Sequence, residues 1–436
     1  MNAELPGSSR TSTLGERLRA ARREAGLTQG QVAGAELTKG FISQVESGQV
    51  RPSIRSLQLI ATRLGRPLDY FLGDEPLADS KRRAFHRLGA EAALERSDWS
   101  SATAHATQGR DLAVRPRDRA QAVRLLAAAE LGAGRTEDAF DLITAALALL
   151  DVARDAEETC RLLYLRGSAY VAARQLAAAC EAFERARDLV ERSEITDPRL
   201  RARIAVALGT CYRRLGRPTK ALEAYHQGQA IASRSSELRL AAQGLMGAAV
   251  SHYDAGELDT AVASYERALE LFERVADAGF ELSVLQSLAA VHVELGELEE
   301  ARALAGRVRS RAEMIGSNDW LPIADTILAR IALAEERTGE ALALATNAER
   351  ALAAAGDRRQ QADALRVMGA ANGSLGNAAA ADLAYRKAIA TLGEVDDRVD
   401  LVSVATEYSK LLRSRGEIEA AFEMMELASS RIVSGG

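Results

Sequence analysis

The stretch LGTCYRRLGRPTKALEAY, Leu208 to Tyr225, carries the reading on which the fold depends. Gly209 is a small residue on a first helix, Gly216 ends that helix as a turn glycine, and Ala221 marks the packed face of a second helix. Tyr225 fills the gap that small side chains leave between the two. The stretch therefore reads as a closely packed antiparallel helical hairpin.

The same offsets recur outward in both directions. Alanine stands at 139, 179, 221, 261, 301, 341, 381 and 421, spaced by 40 residues except for one interval of 42. Seven residues after each marker comes a small or modest apolar residue: Ala146, Ala186, Gly228, Ala268, Val308, Ala348, Ala388 and Ala428. Twelve residues before it comes another small one: Ala127, Gly167, Gly209, Ala249, Ala289, Ala329, Gly369 and Ser409. Turn glycines fall five residues before the marker in six of the eight units, and Phe183, Tyr265 and Tyr385 repeat the role of Tyr225. A further degenerate unit is marked by Ala90, Ala102 and Gly109.

These offsets resemble the tetratricopeptide repeat. The resemblance implies a right-handed α-superhelix of about eight or nine such repeats, with a concave groove lined mainly by first helices. Because the period exceeds the usual ~34 residues, longer second helices or longer loops between units are expected. Composition agrees with an all-α chain: of 436 residues 47% are hydrophobic and 27% charged, but only 4% are aromatic and only 8 are Pro.

Upstream of the repeats, charge changes sign. Leu14 to Leu72 carries nine Lys/Arg against five Asp/Glu, whereas the whole chain is −5. A basic head on an acidic body suits a chain whose one end meets phosphates. This head reads as five short helices. Leu14, Leu18, Ala21 and Ala25 share one face of the first, and Gly26 stops it. Thr28 and Gln31 form a capping box on the second, and Thr38 caps the third, which is expected from Lys39 to Ser47. Ser53 caps the fourth, and Pro67 to Leu72 closes the core.

The run GLTQGQVAGAELTKGFISQVESGQVRPSIRSLQLIATRLGRPLDYFL, Gly26 to Leu72, resembles the Cro/CI or XRE family of helix-turn-helix domains. The resemblance implies a five-helix, lambda-repressor-like domain that binds double-stranded DNA. Its third helix would enter the major groove, with Thr38 at its start and Lys39, Gly40, Ser43 and Gln44 toward base edges. Gln29 would touch backbone or an adjacent base, and Arg51, Ser53 and Arg55 would hold phosphates. Arg22 and Glu46 would form a structural ion pair. As aligned, the segment between Ala33 and Thr38 is one residue shorter than usual and lacks the expected turn glycine, which implies an altered angle for the third helix.

The chain thus divides into a disordered segment 1–13, a DNA-binding domain 14–72, a polar linker 73–80 and a repeat domain 81–433. Projecting the repeat register onto the groove selects Arg161, Tyr164, Arg203, Arg213, Gln243, Met246, Tyr253, Gln286, Arg330 and Arg366 as effector-facing, together with Arg124, Lys410 and Arg413. Asn372 is the best-placed asparagine for holding a peptide backbone. Two readings of the arginines stand side by side. They bind a carboxylate-bearing ligand, or they pair with Asp254, Glu294, Asp363 and Glu407.

The whole architecture resembles the peptide-pheromone-sensing regulators of bacteria. It implies a transcriptional regulator whose groove takes a peptide effector and thereby modulates operator binding. The alternative is a DNA-tethered scaffold whose repeats hold a protein partner or only dimerise. Phe422, Met424, Met425, Ile432 and Val433 lie near a last repeat with no polar cap, so a homodimer is expected. No enzyme, metal or cofactor is expected, since His86, His105, His226, His252 and His292 have no companion at a recognisable motif spacing. Cys160, Cys180 and Cys211 read as buried residues, with a thiol sensor as the other possibility. Nothing near Met1 resembles a signal peptide and no uncharged run is long enough to span a bilayer, so a cytoplasmic location without membrane contact is expected.

Overall fold

A computed structural model describes residues 14–50, 52–72, 79–395 and 398–433. Among these the chain is helical, with no strand, and it falls into two compact units that divide between Leu150 and Asp151.

The first unit begins with α1 (Leu14–Glu24), α2 (Gln29–Ala33), α3 (Lys39–Glu46), α4 (Ile54–Arg63) and α5 (Leu68–Leu72). Leu18, Ile42, Ile60 and Phe71 are fully buried at its centre, each stabilising the domain by roughly 1.5–3 kcal/mol. The caps form as the sequence implies. The Thr28 hydroxyl accepts from Gln31 N while the Gln31 side chain accepts from Thr28 N, and Thr38 and Ser53 cap α3 and α4. Two details differ. The third helix stops at Glu46, with Ser47 as its cap, and Ala25 lies beyond the end of α1, exposed, because Gly26 at φ 67° has already turned the chain.

The turn between α2 and α3 does contain a glycine. Gly34, at φ 57°, is the C-cap of α2, so the expectation of a glycine-free turn is corrected. Gly15 is a contact residue that helical periodicity alone does not single out. A Cβ there would stand 2.6 Å from Glu46 O and 2.8 Å from Val45 O, so α1 can lie against the end of α3 only with a bare backbone.

Two helical hairpins complete the first unit: α6 (Asp79–Glu95) with α7 (Trp99–Asp111), and α8 (Pro116–Gly132) with α9 (Thr136–Leu147). The expected linker 73–80 lies mostly outside the described residues.

The second unit is seven hairpins. These are α10 (Ala156–Ala172) with α11 (Leu176–Arg192), α12 (Pro198–Arg214) with α13 (Pro218–Arg234), α14 (Leu238–Asp254) with α15 (Leu258–Arg274), and α16 (Ala278–Leu295) with α17 (Leu298–Ile315). There follow α18 (Leu321–Ala334) with α19 (Thr338–Ala355), α20 (Arg358–Ser374) with α21 (Ala378–Glu394), and α22 (Arg398–Ser414) with α23 (Ile418–Val433).

The marker alanines are buried, and in three units the glycine twelve positions earlier is overlain by the aromatic ring. A Cβ at Gly167, Gly209 or Gly369 would come within 2.5, 2.6 or 2.7 Å of the rings of Phe183, Tyr225 or Tyr385. The long period comes from long second helices, as expected, but equally from long first helices. Both helices of a typical hairpin reach about five turns, 17 residues each in α12 and α13, while the loops around them stay short. The single 42-residue interval arises in the connection 193–197, which is longer than its counterpart 235–237.

Each turn inside a hairpin requires one left-handed residue. Six units supply glycine at φ 70–81°, and the turn is closed by a bond such as Arg217 N to Tyr212 O at 2.8 Å. In the two units without glycine, Arg174 (φ 61°) and Glu336 (φ 60°) adopt the same conformation, and Ser97 (φ 56°) does so between α6 and α7. That shared backbone supports reading α6 and α7 as the degenerate repeat.

Candidate DNA-reading face and repeat cavity

On α3, Ile42 and Val45 point into the core, and this leaves Lys39, Gly40, Ser43 and Gln44 exposed together on the opposite side. Ser53 and Arg55 are also exposed at the start of α4, whereas Arg51 lies outside the described residues. Thr38 and Ser53 already spend a hydroxyl lone pair on their helix amides, Phe41 N at 3.1 Å and Ser56 N at 3.1 Å.

Behind this face sits a carboxylate. Glu46, 5% exposed, accepts from Arg22 Nε at 2.6 Å and Arg22 Nη2 at 3.1 Å, and from Gln29 Nε2 at 2.9 Å, with Arg19 at 3.5 Å. Burial opposes its charge, but the bonds from Arg22 and Gln29 and the nearby guanidinium charges outweigh that and hold its carboxyl below the ordinary range. Gln29 thus ties α2 to the end of α3, a role that its place at the start of α2 does not announce.

In the second unit the first helices α12, α14, α16, α18, α20 and α22 face a common cavity of about 840 Å³. Of the expected groove residues, Arg213, Gln243, Met246, Tyr253, Gln286, Arg330 and Arg366 line it. The others do not. Arg161 pairs with Glu157 and Asp197 at 2.6 and 3.0 Å, and Arg203 lies 4.8 Å over the Tyr164 ring, so Arg161, Tyr164 and Arg203 are engaged on α10 and α12 away from the cavity. Asn372 is buried, donating to Met368 O at 2.9 Å and accepting from Asn377, so its amide holds the end of α20 instead of facing the cavity.

The arginines are paired. Arg213 meets Asp254 at 3.1 Å, Arg330 meets Glu294 at 3.5 Å, and Arg366 meets Asp363 at 2.8 Å and Glu407 at 3.0 Å. Burial opposes the charge on Arg366, yet its two carboxylates hold it charged well above the ordinary arginine value. Four arginines, with Arg359 as the fourth, face four carboxylates, Asp254, Glu294, Asp363 and Asp400, on the cavity wall. The lining is therefore charge-balanced, and of the two readings of the arginines the contacts match the one in which they pair with Asp254, Glu294, Asp363 and Glu407.

Register projection missed Arg359, Gln360 and Asp400. They lie nearer the helix start, Arg359 and Gln360 about two helical turns before Arg366 and Asp400 about two before Glu407, so continuing the 3.6 period reaches them. Across the cavity Gln286 Nε2 donates to Gln360 Oε1 at 2.8 Å.

The remaining polar groups have local explanations. His252 and His292 each meet a glutamate five residues on, Glu257 and Glu297, both at 2.6 Å, as equivalent repeat positions should. His86 and His105 face each other at 3.2 Å through Nδ1. Burial pushes the thiols of Cys160, Cys180 and Cys211 up to about 12, about 11 and about 12, which leaves almost no thiolate for redox sensing near neutral pH. No helix among the described residues is long and apolar enough to cross a membrane, and no group of three or more candidate ligands there could hold a metal.

Comparison with known proteins follows the same division. The helix-turn-helix family matches residues 18–71, and the tetratricopeptide repeat family matches 158–234 and 240–314. The immunity repressor protein of Bacillus phage phi105 is 31% identical over 75 residues, 17% of this chain, and the chain spans about half (52%) of that repressor. In fold the chain is similar to the apo form of the quorum sensor NprR from B. thuringiensis, with a TM-score of 0.59 at 16% identity over 87% of this chain and 99% of that one. It is similar also to the Rap conjugation gene regulator of plasmid pLS20 in complex with the Phr* peptide, with a TM-score of 0.55 at 14% identity over 81% and 95%. The chain carries an XRE-type helix-turn-helix domain at its N-terminus followed by tetratricopeptide repeats whose fold is that of the Rap and NprR regulators.

Proposed function

We propose that this protein is a cytoplasmic transcriptional regulator that binds an operator through α3 and takes a short peptide-like effector in the repeat cavity. The observation that carries the reading is the pairing, in one chain, of an exposed polar α3 face with a large charge-balanced cavity. Paired arginines and carboxylates that line a cavity can exchange partners with the termini and side chains of a peptide, which carries both signs of charge. Effector binding biases operator affinity through the differential stability of two arrangements of the repeats. The peptide in the Rap regulator's structure and the quorum-sensing role of NprR support the same reading.

The domain limits 14–72 and 81–433 belong to this proposal, as do base contacts from Lys39, Ser43 and Gln44 and phosphate contacts from Arg51 and Arg55. So does a homodimer. Ile418, Phe422 and Met425 lie on one face of α23, 63%, 63% and 44% exposed, an apolar surface that a second copy could cover. Met424 is half-buried in the core, and the side chains of Ile432 and Val433 lie outside the described residues. That same face would serve a protein partner in the scaffold reading.

The test is fluorescence anisotropy of DNA from upstream of the protein's own gene, titrated with the full chain, with and without the low-mass peptide fraction of the host culture. Binding that the fraction alters supports the regulator; binding that it leaves unchanged removes the peptide effector and leaves the scaffold.

A further inference from the structure

Arg63, in the last turn of α4, reaches into the turn between α2 and α3. Its Nη1 donates to Val32 O at 3.0 Å and Ala33 O at 2.6 Å, and its Nη2 donates to the Glu36 carboxylate. Val32 and Ala33 end α2, so their carbonyls lie among those that a helix leaves without an internal partner. Ala33 O also accepts from Leu37 N at 3.1 Å, which places the guanidinium against the backbone that leads into α3.

Gly34 lies directly beneath it. A Cβ on Gly34 would stand 2.5 Å from Arg63 Cζ and would displace the guanidinium, while the backbone at φ 57° itself favours glycine. The turn is thus closed from outside, by a side chain of another helix.

We infer that Arg63 is a positioning residue for DNA reading: it clamps the end of α2 to Glu36 over Gly34, and so fixes the angle at which α3 presents Lys39, Ser43 and Gln44. It does this without touching DNA. A planar fork can hold two carbonyls and a carboxylate together, whereas a lysine ammonium on a flexible stem holds no such plane. The inference rests on the DNA-binding reading.

The experiment uses the full chain. A duplex is selected from a randomised pool by the wild-type protein, and affinities for it and for a scrambled duplex are measured by anisotropy across a salt series. Arg63→Met is expected to weaken binding to the selected duplex about tenfold or more, because misaligned base contacts lose their discrimination. The scrambled duplex should bind as before with an unchanged salt slope, since phosphate contacts are retained. Arg63→Lys should fall between the two.

Glu36→Gln, which leaves the carbonyl bonds in place, should lower the ratio of the two affinities less than Arg63→Met does, and it serves if Arg63→Met fails to fold. An unchanged ratio in both Arg63→Met and Glu36→Gln overturns the inference, as does a proportional loss on both duplexes, which marks a merely structural role. Failure of the wild type to enrich any duplex overturns the DNA-binding reading itself.

Discussion

Gln286 and Gln360 lie 74 residues apart in sequence and face each other amide to amide across the repeat cavity. They stand on α16 and α20, with a whole hairpin between them. In an array where packing is between neighbours, this bond closes a ring. Gln360→Ala should raise amide hydrogen exchange in α16 and α20 by about fivefold, the equivalent of one net hydrogen bond of ~1 kcal/mol. Exchange confined to the level of the wild type would mean that the pair contributes nothing to closure.

Glu46 makes the DNA-binding domain acid-sensitive in a defined direction. Its folded pKa is depressed, so its stabilisation is fully present above the unfolded value of ~4.3 and is lost as pH falls through the lower folded value. Glu46→Gln should cost about 2 kcal/mol at pH 7 and flatten the stability profile below about pH 4. Urea unfolding of the domain followed at several pH values would show both effects.

Two glycines of the repeat region should respond to alanine with opposite signs. Gly306 is exposed on α17, and a methyl group there would meet no neighbour within 4 Å, so Gly306→Ala should stabilise by roughly 0.5–1 kcal/mol through helix propensity. At Gly209 the same change drives a Cβ to 2.6 Å from the Tyr225 ring, and overpacking should cost about 1–3 kcal/mol net. Thermal unfolding of the two variants side by side decides the matter.

Arg174 and Glu336 hold a left-handed conformation that glycine occupies in the other units. Arg174→Gly and Glu336→Gly should each stabilise the array by up to about 1 kcal/mol, the relief of strain being partly offset by glycine's freedom in the unfolded chain. A lowered unfolding midpoint in either variant would show that the side chain contributes more than the backbone strain costs.

The three thiols should be silent in the folded protein. With Cys160 and Cys211 pushed up to about 12 and Cys180 up to about 11, a thiol reagent at pH 8 should modify none of them until denaturant is added, and all three afterwards. Fast labelling of native protein would return the redox-sensor possibility.

What was legible in the sequence was whatever is local and periodic. Gly209 with Tyr225, and the six turn glycines, announce themselves because one residue type satisfies one backbone or packing demand. Arg174 and Glu336 hide the same demand, since two packed helices can force any residue into the left-handed region. The α3 face was legible from its cap and its buried Ile42 and Val45, but Gln29, Gly15 and Arg63 act through contacts that join different helices. In the cavity, the positions on α14 and α16 followed from register alone. Which hairpins close on one another depends on small rotations summed along the array, and this is why register alone places Arg161 and Arg203 in it; Gln360 is reached by carrying the stripe further toward the helix start, and Asn372 is bound locally to Met368 and Asn377.

The short turns inside the hairpins have a further consequence, for how the chain is made. Each hairpin brings together residues that left the ribosome within a few tens of positions of one another, so the loops to be closed are small and the entropy of closing them is low. A finished hairpin then offers its flank as a template to the next. The repeats can accordingly assemble during synthesis, starting at their N-terminal end, with the Gln286 and Gln360 contact able to form only after both of its hairpins are in place.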